Sequence, residues 1–259
     1  MKITFIDHSS FLVELERKYL LFDYYKGELP KLDTGKEMYV FSSHSHYDHY
    51  STRVLKLAES FEKIRFIFSD DIRDDFDGDL SELSEDMADK VSECTVFVGA
   101  DERYKISAGK EATEVETIRS TDLGVAFLVK AEGNKIFHSG DYQWWDWPGE
   151  PDEDNAKAKE DFFRELKKLE KREFDLAFLV LDPRQETSAF WGIDSILSRV
   201  NIKTVFPMHF WGDYKITDKY RERLDSGAVP YFGQKPDFKI IKRAGESFII
   251  SDHEEKKSQ

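Results

Sequence analysis

Between residues 2 and 23 apolar and polar positions alternate, and Ile3, Phe5, Phe11, Val13, Leu15, Tyr19 and Leu21 fall on one side, which predicts short antiparallel strands. Residues 38–41 form another apolar strand that runs directly into Ser42. Ser51-Thr52 has the character of a helix cap, and Val54, Leu55, Leu57, Ala58 and Phe61 recur at helical spacing behind it. A strand at 64–68 follows. Short alternating strands return at 95–98, 104–106, 113–118, 125–130 and 135–138, with turns at Gly109-Lys110 and Glu132-Gly133-Asn134. Residues 154–171 predict a helix with Ala156, Phe162, Phe163, Leu166 and Leu169 inward. It leads into 174–181, apolar almost throughout, as a strand covered on both faces should be. A helix at 193–200, a buried strand at 204–208, a helix at 218–224 and closing strands at 238–241 and 247–250 complete a mixed α and β chain.

Composition narrows this picture. No linker divides the 259 residues, so one domain spanning 1–259 is expected, with a solvated acidic segment at 70–90 and a polar, frayed tail at 253–259. The formal charge of −14 repels a phosphate backbone, and no basic stripe offsets it, so a nucleic-acid partner is not expected. The lone cysteine, Cys94, suits a reducing compartment. There is neither a secretory signal nor a run of about 20 apolar residues, so a cytoplasmic location without a membrane partner is expected. A homo-oligomer is left open.

The chemistry concentrates in His44-Ser45-His46-Tyr47-Asp48-His49, which holds three of the seven histidines. Two imidazoles at alternate positions of an extended segment project to the same side and can grip one ion. Asp48 and His49, after the turn begins, can face a second ion or present a carboxylate to a metal-activated water.

This stretch resembles the His-x-His-x-Asp-His signature of the metallo-β-lactamase superfamily of metal-dependent hydrolases. Residues 3–14, ITFIDHSSFLVE, resemble the opening hairpin of its ascorbate-6-phosphate lactonase-like branch. The resemblance implies an α/β (α+β) fold, a four-layer αββα sandwich with the metal loops along one edge of the sheets. It also implies that Asp141, in Gly140-Asp141 after a strand, bridges two divalent ions, and that His209 is the final histidine ligand. His138 either supports Asp141 from behind, the expectation adopted here, or packs. The superfamily supplies a further histidine between the first motif and the bridging aspartate, but no histidine stands between His49 and His138. Either Asp122 replaces it or the enzyme works with one well-held ion. Zinc is expected, and an oxygen ligand would shift the preference towards manganese or iron.

The expected reaction is hydrolysis of a small ester, lactone or phosphoester by metal-activated water, with Asp48 as the catalytic carboxylate that orients the water or accepts its proton. Trp144, Trp145 and Trp211 are expected to wall the substrate pocket. Arg184 is read either as a clamp for a substrate carboxylate or phosphate or as a surface ion pair. Two alternatives stand beside the hydrolase: a mononuclear non-haem iron oxygenase using His44, His46 and Asp141, and a non-catalytic metal-binding sensor on the same fold.

Overall fold

The computed structural model describes residues 1–250, so the tail expected at 253–259 lies outside the described residues. The first sheet is laid down by β1 (Lys2–Asp7), β2 (Ser10–Glu14), β3 (Lys18–Phe22), β4 (Glu37–Ser42), β5 (Ile64–Ser69) and β6 (Thr95–Val98). The second takes β7 (Arg103–Ile106), β8 (Thr113–Arg119), β9 (Val125–Ala131), β10 (Asn134–His138), β11 (Glu173–Val180), β12 (Asn201–Met208) and β13 (Asp237–Phe238). β14 (Ser247–Ile249) returns to β1, giving the orders β14-β1-β2-β3-β4-β5-β6 and β13-β12-β11-β10-β9-β8-β7.

Both sheets follow one rule. The hairpin strands β1 to β3 and β7 to β10 pair antiparallel, while β3 to β6 and β10 to β13 pair parallel. A parallel neighbour needs a crossover, and the helices supply the cover that this leaves on the outer faces. A 3-10 helix (Thr52–Glu59), α1 (Arg73–Leu80) and α2 (Glu85–Cys94) lie over the first sheet. α3 (Asp152–Leu169), α4 (Trp191–Leu197) and α5 (Lys215–Asp225) cover the second. The result is an αββα sandwich.

Aromatic rings join the sheets: Phe11 lies 4.3 Å from Phe178 and Phe41 lies 5.2 Å from Phe127, between ring centroids. Burying one such side chain contributes about 1.5–3 kcal/mol. This packing fixes the two sheets against each other, and with them the strand ends that carry the site.

Several details differ from the sequence pattern. β2 pairs Phe11 with Phe22 and Val13 with Leu20, so Leu20 and Phe22 share the inter-sheet face while Tyr19 and Leu21 pack under the helices. Alternation cannot choose a face for a strand buried on both. Ala156 is exposed rather than inward. Of the closing strand expected at 238–241 only Phe238 pairs with β12, together with the preceding Asp237. Within the acidic segment, α1 and α2 form because Ile72, Phe76, Leu80, Met87 and Val91 keep a helical spacing, and Ile72, Phe76 and Val91 are buried. The density of acids on the solvent side masks that stripe.

Candidate metal centre

The chemically interesting side chains all leave the ends of strands at one edge of the sandwich. β4 ends at Ser42, and the loop after it turns on itself through His49 N–H to His46 C=O (2.9 Å), so that His44, Asp48 and His49 point inward while His46 and Tyr47 stay exposed. Asp122 lies in the β8–β9 connection, Asp141 follows β10, and His209 follows β12. Gly140 makes the Asp141 turn possible: its φ is +50°, and a Cβ there would stand 2.8 Å from Ser43 Cβ. His8, Asp23, His209 and Trp211, none of them glycine, also adopt positive φ (51°, 44°, 65° and 50°). Each such backbone costs roughly 1–3 kcal/mol, and their gathering at one edge marks a place where geometry is kept at the expense of strain.

Two sets of donor atoms result. His44, His46, Asp122 and Asp141 form one, and His8, Asp48, His49 and His209 the other, the ligand atoms of each lying within 4.8 Å of one another. Asp141 joins them: its Oδ2 is 3.8 Å from His44 Nε2, while its Oδ1 is 3.2 Å from His49 Nε2 and 3.4 Å from His209 Nε2. His46 faces Asp122 through Nδ1, at 3.6 Å. His8 Nε2, His49 Nε2 and Asp141 Oδ1 are buried without hydrogen-bond partners among the described residues. Buried polar atoms are rarely left so. Imidazole nitrogens and carboxylate oxygens aimed at a common space are the donor chemistry of divalent cations, so the residues fit such ions.

Carboxylates behind the second set fix its tautomers. Asp23 accepts from His49 Nδ1 at 2.8 Å and from the Ser43 N–H and O–H, and Asp182 accepts from His209 Nδ1 at 3.0 Å. Both histidines therefore turn Nε2 towards Asp141. Burial opposes a charge on His49, but Asp141 and Asp23 outweigh it and raise the pKa well above the ordinary value. His209 behaves alike: burial opposes, Asp141 and Asp182 prevail, and the pKa stands at about 9. Burial also works against an ionised Asp141, yet His209 and His49 hold it well below the usual carboxylate range. Burial pushes His44 down to about 4, with His49 adding to the effect. Burial, then the charge of Asp141, raises Asp122. Without a cation the second set thus stores protons between its carboxylates, and a divalent ion would displace them.

Burial disfavours the Asp48 carboxylate, but the close approach of His8 Nε2 at 3.2 Å and the charges of His49 and His8 bring its pKa far below the ordinary value. A carboxylate held so low is a poor proton acceptor, so a ligand or orienting role suits Asp48 better than that of a base. His138 does not touch the Asp141 carboxylate. Its Nδ1 accepts the Gly140 N–H (3.1 Å) and its Nε2 donates to Ser9 C=O (3.0 Å), so it holds the turn rather than the side chain.

A cleft of about 460 Å³ opens over these donors, lined by Trp145, Trp147, Arg184 and Trp211 together with Tyr47 and Thr121. Trp144, expected in the wall, is absent from it and packs instead against Phe162, Phe163 and Trp191. Successive residues of an irregular segment need not face one side, and sequence alone does not resolve which of the tryptophans turns outward. Arg184 pairs with the buried Asp182 and stacks over Trp211 (4.5 Å) and Trp147 (5.3 Å) at the mouth. The sequence reading missed Asp23, Asp182 and His8 as parts of the site. Asp23 and Asp182 each follow an apolar strand closely, which was their one available signal.

Residues 2–145 match the family model described as the Beta-lactamase superfamily domain. The chain belongs to that superfamily. Its fold is similar to that of Igni18, described as a novel metallo hydrolase from the hyperthermophilic archaeon Ignicoccus hospitalis (14% identity, 96% of this chain and 99% of that one, TM-score 0.61). It is also similar to the metallo-β-lactamase fold protein YhfI from Bacillus subtilis (14%, 95% and 98%, 0.58). A third is CmlA, a diiron β-hydroxylase from Streptomyces venezuelae (11%, 96% and 54%, 0.58). At these identities the likeness concerns the fold. No curated protein sequence matches the chain.

Proposed function

We propose that this protein is a metal-dependent hydrolase that directs water at a small ester, lactone or phosphoester. The observation that carries the reading is Asp141, one carboxylate turned to two donor sets on the floor of a tryptophan-walled cleft. Divalent ions bound there would polarise the substrate's reacting oxygen and lower the pKa of water from about 15.7 towards 7. His44 Nε2, His46 Nδ1, Asp122 and Asp141 Oδ2 would hold the first ion, and His49, His209, Asp48 and Asp141 Oδ1 the second. Two imidazoles and two carboxylates on each ion admit zinc, manganese or iron.

Arg184 gives the substrate its chemical class. Asp182 occupies Nε and Nη2, while Nη1 makes no hydrogen bond among the described residues. Its free edge can receive a carboxylate or phosphate, with the indoles of Trp147 and Trp211 flanking that contact. A lactone bearing an anionic group, as in the lactonase-like branch, fits both features. A small-molecule substrate and a cytoplasmic setting complete the proposal, and no helix among the described residues is long and apolar enough to cross a membrane. A larger groove of about 800 Å³ over β7 to β10 contains none of the donors.

The test is a panel of lactones, carboxylic esters and phosphoesters with protein reloaded with zinc, manganese or iron. Hydrolysis abolished by chelation and restored by metal is expected; hydrolysis that survives exhaustive chelation would overturn the proposal. Asp122 also supports a second reading, iron-dependent oxygen chemistry, because a carboxylate where the superfamily supplies histidine is a harder ligand. Oxygen uptake by the iron-loaded protein in place of hydrolysis would select it.

A further inference from the structure

The β1–β2 turn carries a buried nitrogen that the proposed chemistry leaves unused. His8 is 5% exposed, and its Nε2 has no hydrogen-bond partner among the described residues although Asp48 Oδ2 lies 3.2 Å away. Its ring centroid is 4.2 Å from that of His209 and 5.7 Å from that of His49. Two ligand atoms that share an ion at about 2.1 Å each stand about 3.0–3.4 Å apart at octahedral and tetrahedral angles. The separation of His8 Nε2 from Asp48 is therefore that of two ligands on one cation.

The chain also holds His8 in place. Its φ is 51°, and its carbonyl accepts the backbone N–H of His209 at 3.2 Å, which ties the first hairpin to the loop carrying another ligand. A histidine that merely filled the core would not need a strained backbone to turn a bare nitrogen towards Asp48.

We propose that His8 is a ligand of the second ion, giving its Nε2 beside Asp48, His49, His209 and Asp141. This rests on the reading of the site as a metal centre and deepens it: the second ion is enclosed by protein donors, so substrate and water engage mainly from the half-exposed side of the first. His49 and His209 are braced at Nδ1 by carboxylates, whereas among the described residues no carboxylate stands at Nδ1 of His8. Its loss should consequently weaken the ion less than loss of either of those.

The experiment loads cadmium-113 into protein labelled with nitrogen-15 at histidine and counts the imidazole nitrogens coupled to each ion by NMR. Three couplings on one ion, from His8, His49 and His209, and two on the other, from His44 and His46, are expected. His8→Gln should reduce the three to two, leave the other ion's pair unchanged and weaken the second ion about tenfold. Two couplings on both ions of the unaltered protein would overturn the assignment while leaving the metal centre standing. Failure to bind cadmium at all would overturn the metal centre itself, and with it this inference. Should His8→Gln not fold, the count in the unaltered protein decides alone.

Discussion

The two donor sets that meet at Asp141 use the same residue types and are held in different ways. In the second, His49 and His209 are 0% and 2% exposed, and each has its Nδ1 fixed by a fully buried aspartate. In the first, His44 is the one buried donor besides the shared Asp141; the side chains of His46 and Asp122 are 48% and 45% exposed, and Ser43 Oγ at 3.0 Å from His44 Nδ1 is the support behind it. Burial with braced tautomers yields a cage whose donors lose little freedom when an ion arrives. Exposure yields a set that must be ordered by the ion, but that a substrate can reach.

The strongest way to break this contrast is at the caged set. His209→Ala removes a ligand and leaves Asp182 buried with one partner fewer, so a loss of activity of about 10²–10³-fold is expected, together with a fall from two ions to one by metal analysis. Retention of both ions would mean that the cage is no more demanding than the open set. Asp23→Asn keeps the volume and removes the charge that orients His49. A metal affinity about 10–100-fold weaker at the second site is expected in competition with a chelator, with little change at the first.

Asp122→Ala should cost less, about tenfold in affinity and confined to the first ion. Asp122→His sharpens the same point, since an imidazole there should move metal selectivity towards zinc. Equal loss of both ions from Asp122→Ala would show that the sets act as one.

The smallest expected effect is on stability. His209 titrates at about 9 in the folded chain against an ordinary 6.5, so the folded state holds that proton more tightly. The stability it contributes to metal-free protein is complete below about pH 6.5 and disappears as pH rises through about 9. Metal affinity runs the other way, because the same proton must leave for the ion to bind. Calorimetry of chelated protein should show the melting temperature falling by a few degrees across that window, while the metal-loaded protein does not follow it.

Much of this was legible in the chain itself. His44, His46, Asp48 and His49 fall within six positions, and the strands that carry Asp141 and His209 are apolar enough to be read as buried, so these candidate donors can be picked out without coordinates. Local patterning also placed most strands, because a buried face imposes a period that survives in sequence. Three kinds of information were not there. Which face of β3 meets the other sheet follows from its pairing with β2, since both faces are apolar. The helices of the acidic segment depend on apolar residues that are outnumbered by their solvent-facing neighbours.

The third is the wiring of the site. His8, Asp23 and Asp182 lie 40, 26 and 27 residues from their partners in sequence, measured to Asp48, His49 and His209. Nothing local marks a single histidine in a hairpin turn or an aspartate at a strand end as part of a metal centre. The sequence by itself determined the donor types and the sandwich that would present them. Only the tertiary structure decided which carboxylate braces which imidazole and that Asp141 stands between the sets, because those relations exist where strand ends from both sheets converge, and convergence is a property of packing rather than of order along the chain.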